Sequence, residues 1–217
     1  YWLTWRDLGE TATVSGLSLG QQFAQYPELL TSPRFWGYAV AAAMSSGAFF
    51  AYLGGAPYVG TEVFGMSPAV LGFFFGAPAI GYFLGNFISG RFSARIGVDR
   101  MVLVGTFINC TGILLSMGVF WLGLGSQWTF FGFMTFVGLG NGMTIPNATA
   151  GMLSVRPHLA GTASGLGGAI MLGGGAALSA LAGALLVDRK STRLTPVTSR
   201  YLVCRLLLEK KKKFLTA

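Results

Sequence analysis

"SGRFSARIGVDRM", residues 89–101, sets Arg91, Arg95, Asp99 and Arg100 between two long stretches that carry no charge. Val63–Gly90 runs 28 residues without a charged side chain, and Met101–Val155 runs 55. A helix that crosses a bilayer needs roughly 20 apolar residues, and an uncharged apolar run of about 18 or more is its signature. The island therefore separates membrane helices. Phe35–Thr61 (27 residues) and Pro157–Val187 (31 residues) are two further runs. The run of 55 holds two helices broken at "GLGSQ" (123–127), which Trp121 and Trp128 flank as interface aromatics. The expectation is an all-α membrane protein with about five transmembrane helices, near 35–59, 68–89, 101–122, 128–152 and 160–187.

Composition agrees. The 217 residues are 53% hydrophobic and 10% charged, with a mean hydropathy of +0.61. A soluble domain carries about 25% charged residues. The net charge of +8 is not spread over the chain. Residues 1–187 hold six arginines, no lysine and five acids, whereas 188–217 hold nine Lys/Arg and two acids. The lipid bilayer, and no nucleic acid, is the partner this pattern implies. Residues 1–34 read as a cytoplasmic linker, with Ser32 as N-cap and Pro33 opening the first span. Residues 188–217 read as a basic tail with no apolar run long enough to cross. Five spans from a cytoplasmic start end outside, so these nine cationic residues would lie on the wrong side by the positive-inside rule, and the tail is expected to be non-native.

Orientation follows from arginine. The loops at 1–34, 90–100 and 154–159 carry two, three and one, and those at 60–67 and 123–127 carry none. Positive charge marks the cytoplasmic side, so the island is expected as a cytoplasmic hairpin turned by Gly90 and Gly97. Small residues supply the packing that lipid cannot drive. G-x-x-x-G occurs at Gly72/Gly76, Gly81/Gly85, Gly138/Gly142 and Gly161/Gly165, and Gly175, Ser179 and Gly183 extend a small-residue stripe. Pro57, Pro78 and Pro146 lie where they can kink helices. Glu62, the one acid near a span, is expected in solvent at the outer end. His158 is the only histidine, and no phosphate loop is present. Neither a metal, a cofactor nor an enzymatic activity is expected.

"GRFSARIGVDRMVL" (90–103) resembles the loop signature of the major facilitator superfamily. Gly90, Arg95, Gly97, Arg100 and Leu103 match, with Arg91 beside them, and Ala94 departs where the stronger copy of that signature has Asp. "SPRFWGYAVAAAMSSGAFFAYLGGAPYV" (32–59), "NGMTIPNATAGML" (141–153) and "AGTASGLGGAI" (160–170) resemble helices seven, ten and eleven of its Bcr/CflA drug-resistance group. The resemblance covers about 28–187. It implies the C-terminal half of a twelve-helix, proton-coupled exporter of small amphipathic antibiotics in the bacterial inner membrane. The missing N-terminal half would be a partner, a small-molecule drug the ligand, and the proton gradient the energy source. It also implies that Phe49, Phe50, Tyr52, Asn141, Thr144 and Asn147 are cavity residues; Phe49 and Phe50 are adjacent, so at most one of the two should face it. Gly161 and Gly165 are expected at a close helix contact. An uptake permease of the same fold, or a membrane fragment that transports nothing, are the alternatives.

Overall fold

The computed structural model describes residues 19–185. The tail expected at 188–217 and the first eighteen residues of the expected linker lie outside the described residues. The rest of that linker is not loop: residues Leu19–Leu30 form a helix, α1. The chain continues as α2 (Pro33–Tyr58) with a π turn at Val59–Val63, α3 (Pro68–Phe74), α4 (Gly76–Ile96), α5 (Val98–Trp121) and α6 (Gln127–Val155). A short turn at Pro157–Leu159 leads into α7 at 160–185. No strand occurs among the described residues.

Local chemistry sets these boundaries. Ser67 and Ser126 cap α3 and α6, accepting from Val70 N and Thr129 N, and the Thr129 hydroxyl returns to Ser126 to close a capping box. Ser32 occupies the expected N-cap position before Pro33, although its side chain makes no capping bond. Pro78 cannot donate to the carbonyl of Phe74, and the second span breaks there, between α3 and α4. Pro57 precedes the π turn, which exposes Glu62 at that end. Gly97, at φ 92, is the whole turn between α4 and α5. The expected hairpin at 90–100 thus contracts to one residue. Gly90 is helical, Arg91 and Arg95 belong to the end of α4, and Arg100 to the start of α5.

Four stretches are long and apolar enough to cross a membrane: Pro33–Val63, Pro68–Ile96, Val98–Trp121 and Pro157–Leu185. The fifth expected span, α6, has 29 residues, about 43 Å at 1.5 Å per residue, but it carries two asparagines and a proline within its apolar run and is not among the four. The reason is its position. α6 is the central helix, packed by α2, α4 and α5, so little of it needs to match lipid. The outer helices present apolar stripes instead, with Ile80, Phe83 and Phe87 on α4 and Leu103, Phe107 and Leu114 on α5 all exposed. Stripes of that size suit hydrocarbon rather than water.

Register follows from the glycines. A Cβ at Gly81 or Gly85 would strike the carbonyls of Thr135 or Leu139, and one at Gly138 or Gly142 those of Pro78 or Tyr82. The two G-x-x-x-G faces pack on each other, with α4 and α6 parallel. On the opposite flank Gly105 meets Gly140 and Thr144, and Gly112 meets Phe136, so α5 runs antiparallel to α6. α7 lies on α2 through Gly174 against Ala43, Gly175 against Phe50 and Gly47 against Leu178. Ser179 Oγ donates to the Phe50 carbonyl at 3.2 Å. Gly161 and Gly165 are a correction: among the described residues no neighbouring atom lies within 4 Å of a Cβ built at either, and the same holds for Gly72, Gly76 and Gly183. The α7 contact uses the next turns of the helix, and Gly161 and Gly165 border an open cavity beside α1.

Candidate functional site

A cavity of 380 Å³ opens between α2, α4, α6 and α7. α2 contributes Ser46, Phe49, Phe50 and Leu53; the α3–α4 break and α4 contribute Phe75, Pro78, Ala79 and Tyr82. α6 adds Gly138, Asn141 and Ile145, and α7 adds Met171. None of these side chains is charged. The wall is apolar and aromatic with one carboxamide and two hydroxyls, the composition that suits a small amphipathic molecule.

Three of the six expected cavity residues line it: Phe49, Phe50 and Asn141. Both phenylalanines do so, against the expectation of one. Successive residues on a helix point about 100° apart, and this cavity is bounded by four helices, wide enough to take both. Tyr52, Thr144 and Asn147 stand elsewhere. Tyr52 is buried in an aromatic cluster with Phe75, Phe130 and Phe131, its rings at 5.6, 6.2 and 6.3 Å. Thr144 is fully buried against Gly105 of α5. Asn147 donates to Ser89 Oγ of α4 at 2.6 Å and to the Met143 carbonyl of its own helix at 2.7 Å. It is an interhelical tie. The carbonyl deprived of a donor by Pro146 is that of Gly142, so Asn147 does not serve as its substitute.

The polar groups in the wall are held from behind. Ser46 Oγ lies 2.8 Å from the Ala42 carbonyl and 3.2 Å from that of Met171, so its proton is used within α2 and toward α7. Asn141 Oδ1 accepts from Asn109 Nδ2 of α5 at 2.8 Å. Sequence reading missed Asn109. The signal was available, since it is the only asparagine in α5, and a lone amide in an apolar span needs a partner on a neighbouring helix.

At the arginine-bearing end the side chains make different contacts from those the island suggested. Asp99, in the first turn of α5, pairs with Arg34 of α2 at 3.3 Å and accepts from the Tyr38 hydroxyl. Glu28 of α1 reaches Arg156 at 3.1 Å and His158 at 3.3 Å, and Thr162 donates to Gln25 at 2.7 Å. Arg91, Arg95 and Arg100 form no ion pair among the described residues. Among those residues there is also no group of three or more His, Cys, Asp or Glu side chains placed to hold a metal.

The family model described as Major Facilitator Superfamily matches residues 1–197, and so reaches into the basic tail. The chain is similar to the uncharacterized MFS-type transporter YdgK of Bacillus subtilis, at 30% identity over 169 residues, 76% of this chain and 41% of that protein. It is also similar to the bicyclomycin resistance protein homolog of Haemophilus influenzae, at 28% identity over 159 residues, 73% of this chain and 39% of that protein. The chain thus spans about two fifths of the length of these relatives. No solved structure matches it.

Proposed function

The chain belongs to the major facilitator superfamily, a family of membrane transporters and not of enzymes, and from that premise we propose that it forms the second half of a twelve-helix drug exporter of the Bcr/CflA type. The exporter would reside in the bacterial inner membrane and move small amphipathic antibiotics outward in exchange for protons. The substrate would sit between this half and a six-helix partner half, where carriers of this architecture bind near the midplane. The uncharged aromatic cavity carries the reading. It offers Phe49, Phe50 and Phe75 as stacking faces and Asn141 as a polar anchor, and the bicyclomycin resistance homolog lies among the relatives. No carboxylate lines the cavity, so proton coupling is assigned to the partner half.

The test is a susceptibility assay. The complete reading frame containing this chain is expressed in an efflux-deficient bacterium challenged with bicyclomycin and chloramphenicol. A severalfold rise in the inhibitory concentration, abolished by collapsing the proton gradient and reduced by Phe50→Ala, is the expected result. Unchanged susceptibility to both drugs, with the protein verified in the membrane, refutes drug export. Increased susceptibility would instead favour an uptake permease.

A further inference from the structure

We infer that Asn109, which lies behind the cavity wall, is a positioning residue that makes Asn141 a hydrogen-bond donor to the ligand, and that the cavity therefore selects molecules with an exposed carbonyl or hydroxyl oxygen. The inference rests on the reading of the cavity as the substrate site and goes beyond it by naming what the substrate must offer.

The geometry is specific. Asn109 and Asn141 are 4% and 2% exposed, and only Asn141 lines the cavity. α5 approaches α6 so closely that a Cβ at Gly140 would sit 2.8 Å from the Asn109 Cβ. Glycine at 140 lets Asn109 reach the neighbouring carboxamide. The bond from Asn109 Nδ2 engages Asn141 Oδ1, so what Asn141 retains for the cavity is its NH2. The reversed pairing would leave the Asn109 NH2 unpaired among the described residues, where the present one leaves its carbonyl oxygen, Oδ1, so, and a buried N–H is left unpaired more rarely than a C=O.

That orphaned oxygen argues against a purely structural role. An apolar pair of similar shape at 109 and 141 would be as stable or more so, since a buried acceptor without a donor is destabilising. Of the two hydroxyls in the wall, Ser46 has already committed its proton, and that of Tyr82 turns about its own C–O bond and is not held in one direction. Asn141 is then the fixed donor in a wall of aromatic and aliphatic carbon. A fixed donor rejects ligands that lack an acceptor more strongly than an apolar wall rejects a misfit.

The experiment measures equilibrium binding of bicyclomycin, chloramphenicol and tetraphenylphosphonium, the last a lipophilic probe with no acceptor, to the complete carrier in detergent. Asn109→Ala, Asn109→Leu, Asn141→Ala and the double variant Asn109→Ala/Asn141→Ala are compared, and melting midpoints of the same set are recorded. Asn109→Ala is expected to weaken the two oxygen-bearing drugs about 5-fold, the scale of one neutral hydrogen bond. In the Asn141→Ala background it should change them less than about 2-fold, and tetraphenylphosphonium should be unaffected throughout. Asn109→Leu, which fills the volume, should reproduce the drug loss without a lower melting midpoint. Equal losses in both backgrounds, or an equal loss for tetraphenylphosphonium, would overturn the positioning role. If the unaltered carrier binds neither drug while the melting midpoints still couple 109 to 141, the drug-cavity reading fails and the substrate selection with it, and the pairing alone survives.

Discussion

Gly142→Ala adds one methyl group at the seam where α4 and α6 meet backbone to backbone. The new Cβ would lie 2.5 Å from the Tyr82 carbonyl oxygen, 2.8 Å from Asn86 N and 3.0 Å from the Gly85 carbonyl carbon. All three are backbone atoms of α4, and backbone cannot rotate away as a side chain can. The closest falls about 1 Å short of the roughly 3.5 Å of an optimal contact. α4 and α6 must separate by that much, and a gap of 0.5–1 Å already forfeits about a quarter to a half of each dispersion contact along the seam. Overpacking of this kind costs about 1–3 kcal/mol, partly offset by about 0.8–1.0 kcal/mol of helix propensity gained from alanine. Gly165→Ala is the matched control. It makes the same exchange on a helix where no atom lies within 4 Å of the new methyl, so only the propensity gain remains. The two variants should differ by about 2 kcal/mol, which at 2–4 °C per kcal/mol for a chain of this size is roughly 4–8 °C. Thermal unfolding in detergent, followed by near-ultraviolet circular dichroism, measures the gap. A Gly142→Ala protein that melts at or above Gly165→Ala would refute the claim that α4 and α6 meet glycine to glycine.

Gly123 stands at φ 75, where a side chain costs about 1–2 kcal/mol, so Gly123→Ala should melt below Gly161→Ala; the opposite order would contradict the turn geometry. Thr144 Oγ1 is buried without a partner, so Thr144→Val should raise the melting midpoint by the equivalent of about 1 kcal/mol, and a fall would show that the hydroxyl is satisfied. All five described arginines lie at one end of the bundle, and the positive-inside rule makes that end cytoplasmic. In intact cells an impermeant maleimide should label Ser67→Cys and spare Ala94→Cys, both at exposed positions; labelling of Ala94→Cys from outside would invert the topology.

The helices were legible because charge is so unevenly distributed. Arg91 to Arg100 marks the turn, and Pro33, Pro68 and Ser126 mark starts through chemistry confined to a few residues. The glycine pattern was legible only in part. Gly72/Gly76 and Gly161/Gly165 have the same spacing as Gly81/Gly85 and Gly138/Gly142, yet only the second pair of motifs meets a neighbour. Spacing is a property of one helix, and a contact belongs to two. The same limit applies to Tyr52, Thr144 and Asn147, whose residue types suit a cavity but whose helix faces turn toward other helices. It applies again to Arg34, whose partner Asp99 is 65 residues away. An exposed pair of this kind stabilises by about 1 kcal/mol at most and leaves no local trace in the sequence.

The two buried asparagines of α6 tie these observations together. A helix in hydrocarbon must be apolar all round, but one enclosed by other helices can carry amides if each finds a partner. α6 places Asn147 on Ser89 of α4 and Asn141 on Asn109 of α5, and its glycines meet both neighbours at the same levels. Backbone contact and amide bonds therefore join α4, α6 and α5 into one slab. α2 and α7 are joined separately, by Ser46 toward Met171 and Ser179 toward Phe50. No amide bond to α6 is found on the α2 side among the described residues; near the cavity that boundary is made of rings, with Tyr52 against Phe130 and Phe131, and at the other end Gly151 meets the Tyr38 ring while Ala148 and Met152 share a core with Ala39 and Ala42. The cavity lies at this boundary, with Phe49 and Phe50 on one side and Asn141 on the other. Its rings from α2 and its carboxamide from α6 therefore belong to two separately joined parts of the bundle, and that carboxamide is anchored from within the slab by Asn109.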